Sequence, residues 1–408
     1  MPWRQRRSGV TRFEYRCRWS SRPESSALGC RRQRASQARH ARPRHRRSAL
    51  IVPDSPLTAW ANVLVNYCTE VQPGDVVAIS GGTAAEPLLR QIARAVVDRG
   101  AHPVVLPSLS DLHGYLLSQA NDDQLAYVSP VERFIRQEAD VLISVSAATN
   151  TRALADVDPA RQAIWTRARS DLRQSFMQRS AMGAMRWCGT LYPTAAYAQD
   201  ANMATDTFAA FFFAACKLHE ADPAAAWRAV HREQATLIER LADADKIQIT
   251  GTETDLRLSV AGRTWINSDG HRNFPSGEIF TGPVEDSATG QIRFSYPAIV
   301  NGREIAGVRL RFDAGLVVDA SATQNEAFLL AMLDTDPGAR RLGEFAFGTN
   351  RDVTRFTKNI LLDEKIGGTL HLALGAGYPD TGSQNRSAIH WDLICDLGAE
   401  AGGGLVEV

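Results

Sequence analysis

VVAISGGTAAEPLLRQIARAVVDRGAHPVVLP, residues 76–107, reads as a strand, a turn, a helix and a second strand. Val76 to Ser80 is a short apolar run closed by Gly81 and Gly82, and Leu88, Leu89, Ile92, Ala95 and Val96 then recur at helical spacing before Val104 to Leu106 resumes the extended pattern. Further short apolar runs follow at Val141 to Val145 and Met185 to Leu191, with polar or helical segments between them. Parallel neighbours need a long crossover, usually a helix, so this alternation predicts a parallel α/β sheet. Upstream, Pro56 through Trp60 to Val71 has the pattern of an amphipathic opening helix. Downstream, residues 203–243 read as two helices, the second from about Pro223 to Leu241.

After Asp243 the texture changes. Lys246 to Thr250, Asp255 to Val260, Gln291 to Tyr296, Val308 to Phe312 and Val317 to Ser321 look like short strands with glycine-containing turns, interrupted by a helix near Asn325 to Leu333. A boundary near residue 245 is therefore expected. It separates an N-terminal α/β domain with a parallel sheet, residues 51–245, from a C-terminal, β-rich α+β domain, residues 246–408. A chain of 408 residues exceeds what one hydrophobic core ordinarily serves, which also favours two domains.

The formal net charge of +1 conceals an asymmetry. Residues 1–50 hold fifteen arginines and two acids, Glu14 and Glu24, for +13, which leaves residues 51–408 at −12. The arginine-rich stretch has too little apolar surface to offset its ordering entropy and is expected to be disordered. It lacks the apolar core of a secretory signal, while its composition suits a transit peptide, a nucleic-acid-binding arm or a translated upstream region without a selected role; the last is our reading. The six cysteines form no CxxC pair, which fits small buried side chains in a reducing compartment. No run approaches the roughly 18 apolar residues that span a bilayer. A soluble cytoplasmic protein is expected.

The Gly81-Gly82 turn could cradle a phosphate at a helix N-terminus. Neither GxGxxG nor GxxxxGK[ST] is present, so no nucleotide is assigned and the turn is taken as backbone punctuation.

Ligand-type side chains gather late in the chain, at Gly277-Glu278, Gly343-Glu344, His371 to Tyr378 and His390-Trp391-Asp392. If Ile389 to Ile394 is a strand, its period of two places His390 and Asp392 on one face and Trp391 on the other. Imidazole nitrogen and carboxylate oxygen suit a borderline dication such as zinc, although a histidine bonded to an aspartate in a core gives the same triplet. His371 opens an apolar run that reads as a buried strand, after which glycines turn the chain so that Tyr378 can return beside that histidine. A tyrosine ligand is reasonable only next to a dication; otherwise Tyr378 is a loop aromatic. Glu278 and Glu344 each follow a glycine among apolar neighbours, where a carboxylate is expensive to bury unless paired or bound to metal. On an alternating strand either could also face solvent. Together the six side chains match a two-metal site in which one carboxylate bridges the ions.

These segments, with Asn273-Phe274-Pro275-Ser276-Gly277-Glu278-Ile279-Phe280-Thr281, Thr335-Asp336, Gly338-Ala339-Arg340, Leu342-Gly343-Glu344, Phe356-Thr357-Lys358-Asn359 and Leu362-Asp363-Glu364-Lys365, make the chain resemble the metalloaminopeptidases of the aminopeptidase T and aminopeptidase S type. The resemblance covers about residues 56–396 and is strongest after 270. It implies Glu278, Glu344, His371, Tyr378, His390 and Asp392 as ligands of two divalent ions, zinc or cobalt, in a C-terminal domain, commonly in a homodimer. The arginine-rich extension lies outside the family pattern. The link from Tyr378 to His390 is shorter than in some members, which bears on the pocket rim.

The expected reaction is removal of the N-terminal residue from short peptides with a free N-terminus, by water activated between two ions. Glu364, beside Lys365, is the candidate proton shuttle; its alternative is a solvent-exposed ion pair. The rivals are another two-metal hydrolase, an amidase or phosphoesterase, and a nucleic-acid-binding protein acting through the arginine-rich tail. On the preferred reading neither nucleic acid nor membrane is a partner.

Overall fold

A computed structural model describes residues 55–300, 302–398 and 403–408, together with the strand Arg12–Phe13. The expectation of disorder over residues 1–50 falls outside this range apart from Arg12–Phe13, which pairs with the strand Gly404–Glu407.

Val76–Gly82 lies inside a five-stranded parallel sheet, between His102–Ser108 at one edge and Val141–Ser146, with Arg186–Leu191 and Asn273–Phe274 following outward. The crossover helix Glu86–Asp98 buries the five residues that carry its apolar period, Leu88, Leu89, Ile92, Ala95 and Val96. Proline at its second position is tolerated because no intrahelical partner exists there for the missing N–H. The fifth strand, Asn273–Phe274, comes from beyond residue 245 and ties the later chain to the parallel sheet.

Among the described residues two large antiparallel sheets follow, in addition to the antiparallel pair Ala298–Val300 and Arg303–Ile305. The larger carries Lys246–Gly251, Thr254–Ser259, Thr289–Arg293, Arg309–Asp313 and Leu316–Ser321, with Gly404–Glu407 and Arg12–Phe13 at one side. The smaller runs in the order His390–Asp396, Thr369–Gly375, Leu342–Gly348, Glu278–Thr281, Ile266–Ser268. One apolar cluster joins them: Ile249, Leu256, Ile292 and Phe312 from the first sheet meet Phe345, Leu372 and Leu393 from the second. Each such side chain, removed fully from water, contributes about 1.5–3 kcal/mol before conformational entropy is counted.

Helix Pro223–Leu241 links the layers. Asp222 caps it by accepting from the Ala225 N–H at 2.8 Å, Trp227 enters the core of the parallel sheet, and Leu241 enters the core of the antiparallel pair. Midway, Gln234 Nε2 donates to the backbone oxygens of Ser268 and Glu278, fixing the strand that begins at Glu278. Among the described residues no helix is long and apolar enough to cross a membrane.

Candidate metal centre

The smaller antiparallel sheet has two chemically distinct faces. Ile279, Phe345, Leu370, Leu372, Leu374, Trp391 and Leu393 point into the apolar cluster. With a period of two, their neighbours in sequence project from the opposite face, and there the ligand-type side chains alternate with small ones. His371 stands opposite Ala346, Glu344 opposite Ala373, Asp392 on the far side of Ala373, His390 opposite Gly375 and Glu278 opposite Gly348. Alanine and glycine in those positions leave room for the longer side chains to converge.

Glu344 reaches this face only because the strand is irregular. Leu342 packs in the apolar cluster, and on an unbroken strand Glu344, two residues on, would share its face. The register shifts between Leu342 and Glu344, so Gly343 is an extra residue that turns Glu344 over. A Cβ at Gly343 would lie 2.4 Å from the Ala376 carbonyl oxygen, which explains glycine there. Gly277, before Glu278, has φ +113° and would place a Cβ 2.7 Å from Asn350 Cβ. Both Gly-Glu pairs therefore follow from backbone geometry.

The side chains that the sequence singles out meet as follows. His371 Nε2 lies 3.2 Å from Glu344 Oε1 and 3.6 Å from Glu278 Oε2. His390 Nε2 lies 3.4 Å from Glu344 Oε2 and 3.5 Å from Asp392 Oδ1. Glu344 thus turns one oxygen to each histidine. Two groups share it, Glu278, Glu344, His371 and Glu344, His390, Asp392, each with ligand atoms within 4.8 Å of one another. A third such group is Glu364, His371 and Asp392. Glu278 and Glu344 are 5% and 4% exposed, so neither is a solvent-facing residue of an alternating strand. Tyr378 returns to the cluster beside His390: its ring meets those of His390 at 5.0 Å and Phe280 at 5.4 Å.

This donor set fits dications. Glu278 Oε2 is buried without a hydrogen-bond partner and faces the cluster, and an orphaned carboxylate oxygen is costly unless a cation meets it. His390 Nδ1 lies 2.7 Å from the Ala376 carbonyl, which assigns the ring proton to Nδ1 and leaves Nε2 as a donor lone pair. Burial alone would raise the Glu344 carboxyl, but its hydrogen bonds to His371 and His390 hold it near 2. Burial alone would lower both imidazoles, yet the carboxylates lift His371 to about 9 and His390 to about 10. Protons and dications compete for the same nitrogens, so metal affinity rises with pH as those protons leave. Burial, with Glu344 and Asp392 close by, pushes the Tyr378 phenol far up, so only a dication would ionise it near neutrality.

Glu364 and Lys365 contradict the alternative of a solvent-exposed ion pair. Lys365 is fully buried, with Nζ 2.6 Å from Glu278 Oε1 and in contact with Glu364 Oε1. Burial would lower its pKa, but Glu278 and Glu364 outweigh that and keep it charged. Burial raises the Glu364 carboxyl to about 8, opposed by Lys365 and reinforced by Glu278 and Asp392. The turn is held by Asp363, whose Oδ1 accepts from the backbone N–H and the hydroxyl of Thr357 at 2.7 and 2.8 Å. Asp363 and Lys365 stand within the motif Leu362-Asp363-Glu364-Lys365, but on sequence alone neither is given a role in the cluster.

A second polar cluster lies behind the strand bearing Glu278. Asp269, 5% exposed, accepts from His231 Nδ1 and His271 Nδ1, each at 2.7 Å, and the Tyr67 ring lies tilted against His271 with centroids 4.7 Å apart. The hydrogen bond to Asp269 raises His271 above its usual 6.5. Burial would raise Asp269, but the two histidines draw it below 3.8. The raised histidine stabilises the fold fully below pH 6.5 and loses that effect as pH climbs through its folded value; the lowered aspartate contributes above 3.8. The Tm difference between wild type and His271→Ala should therefore be largest between about pH 4 and 6.5 and shrink as pH climbs through the raised value of His271, in thermal melts at fixed metal concentration. A pH-independent difference would contradict this.

Residues 54–403 match the profile of the family described as thermophilic metalloprotease (M29). The chain is 30% identical over 377 residues to Aminopeptidase 2 of Geobacillus stearothermophilus, covering 82% of this chain and 87% of that protein. It is 33% identical over 183 residues to Aminopeptidase T of Thermus thermophilus, covering 41% of this chain and 44% of that one. The solved structure of wild-type AmpT from Thermus thermophilus superposes with a TM-score of 0.73 at 22% identity, over 86% of this chain and 96% of that one. A 2,5-dihydroxypyridine dioxygenase from Pseudomonas putida KT2440 gives 0.50 at 13% identity, over 84% and 93%. A related frame therefore occurs in proteins named for different reactions, and chemistry has to be argued from the side chains.

Proposed function

The chain belongs to the thermophilic metalloprotease (M29) family and is a metalloaminopeptidase, and on that premise we propose that it removes the N-terminal residue from short peptides using two divalent ions. The observation that carries the two-ion reading is Glu344, which turns one oxygen toward each of two histidines. Glu278, Glu344 and His371 would hold one ion; Glu344, His390 and Asp392, with Tyr378 beside them, would hold the other. Imidazole and carboxylate donors favour zinc or cobalt. When bound, the ions supply Lewis acidity toward the scissile carbonyl and the attacking water.

The chain's own groups do the rest. Glu364 would accept a proton from the attacking water and return it to the leaving amine; it is placed for this by lying with His371 and Asp392 in a group whose ligand atoms fall within 4.8 Å of one another. Lys365 holds Glu364 and Glu278 in place from within the fold. A substrate's free α-amine is a nitrogen donor that an internal peptide bond lacks, so ions held by these residues would anchor it and favour removal of the N-terminal residue. We also divide the chain near residue 245 into an α/β scaffold and a catalytic domain. We assign the protein to the cytoplasm as a homodimer; the free, buried Cys68, Cys188, Cys216 and Cys395 accord with a reducing compartment.

Glu364→Gln tests the shuttle. Turnover of aminoacyl substrates should fall by about 10²–10⁴-fold, the usual worth of a positioned acid–base group, while bound metal stays at the wild-type level. Unimpaired turnover removes Glu364 from the mechanism. Assaying phosphate esters on the same metal-loaded sample separates a peptidase from another two-metal hydrolase.

A further inference from the structure

Beside the ligand cluster lies a cavity of about 260 Å³ whose wall includes His390 and Asp392. It is smaller than the roughly 300–1,000 Å³ pockets that enclose a drug-sized ligand, so it fits one side chain rather than a peptide. Ala298 and Val300 form one wall, Phe356 and Ile360 another. The first wall belongs to a hairpin of Ala298–Val300 and Arg303–Ile305 that joins none of the larger sheets. It is fixed from outside. Ser295 N–H donates to the Ile394 carbonyl at 3.0 Å, Tyr296 stacks on Phe356 at 4.8 Å, and Arg152 Nη1 donates to the Gly302 carbonyl.

The charges around this cavity cancel. Lys358 lines it in a left-handed backbone conformation, φ +63°, and its Nζ lies 2.7 Å from Glu304 Oε2 on the hairpin. The two side chains are 28% and 24% exposed, so the pair is largely withdrawn from water. One oxygen of Asp363, the remaining acid of the lining outside the ligand cluster, is taken by Thr357's two donors.

We propose that this cavity is the subsite for the side chain of the substrate's first residue, that it takes neutral apolar side chains, and that Lys358 and Glu304 set this specificity by neutralising each other. The inference rests on the aminopeptidase reading. An incoming ammonium or carboxylate would lose its hydration and find both possible partners already engaged. Freeing either partner reverses that exclusion for one sign of charge.

The test is kcat/KM for alanyl, leucyl, lysyl and glutamyl anilides with the metal-loaded full chain and three variants. Lys358→Met leaves the Glu304 carboxylate alone, and the lysyl-to-leucyl ratio should rise about tenfold or more, as expected when a buried polar group gains its partner. Glu304→Gln should raise the glutamyl-to-leucyl ratio comparably. Ile360→Trp, at a position 46% exposed and therefore tolerant, fills the cavity and should lower the leucyl-to-alanyl ratio about tenfold, within the range set by one or two methylenes. Each readout is a ratio within one sample, so a lower yield of folded protein does not imitate it. Unchanged ratios, or a variant inactive on all four anilides, overturn the subsite assignment while wild-type turnover preserves the aminopeptidase reading. A metal-loaded wild type that cleaves none of the four overturns that reading, and the subsite with it.

Discussion

Exchanging Glu344 for alanine should lower kcat/KM for aminoacyl substrates by at least about a hundredfold and reduce bound metal below two ions per chain. Loss of a group that merely orients a metal ligand already lowers affinity or activity by about 10–100-fold. Glu344 stands in two candidate ligand groups at once, so its removal acts on both. Elemental analysis after gel filtration, paired with rates on a leucyl substrate, reads both effects. Glu344→Gln keeps the volume of a buried side chain and controls for cavity formation. If the alanine variant kept its metal and its rate, Glu344 would not be the shared carboxylate.

Replacing Lys365 by methionine should lower the stability of the metal-free protein by about 3–5 kcal/mol, the usual result of removing one partner from a buried ion pair. Lys365 is completely buried between Glu278 and Glu364, so its loss leaves two carboxylates facing each other without a cation. Denaturant unfolding in the presence of a chelator measures this directly. Added dications should restore part of the loss by neutralising Glu278. Wild-type stability in the metal-free variant would contradict the account of Lys365 as the internal counter-charge.

The parts of the fold set by local period were legible in the sequence. Residues 76–107 alternate in a way that fits only strand, helix and parallel strand, and the short strands after Lys246 fall where alternation and glycine turns mark them. Contacts decided by register were not legible. The two residues Asn273–Phe274 have no period to read, yet they form the outer strand of the parallel sheet. The bulge at Gly343 appears only when Leu342 and Glu344 are seen on opposite faces.

The candidate ligands were readable because carboxylates and histidines stand out among apolar neighbours. Lys365 was not, since an adjacent Glu-Lys pair has the same pattern on a surface as in a core. Tyr378 lies beside His390 because of a turn whose path no spacing specifies. The cluster of Tyr67, His231, Asp269 and His271 draws on distant segments and carries no local signature.

The central claim is that one face of a single antiparallel sheet holds two ions through a shared carboxylate. Calorimetric titration of the chelator-treated protein with zinc, confirmed by elemental analysis, tests it most directly. Two ions per chain in the wild type, affinity that rises with pH, and fewer than two ions in Glu344→Ala are the expected results. One ion per chain in the wild type, or two in the Glu344 variant, would contradict the shared-carboxylate centre.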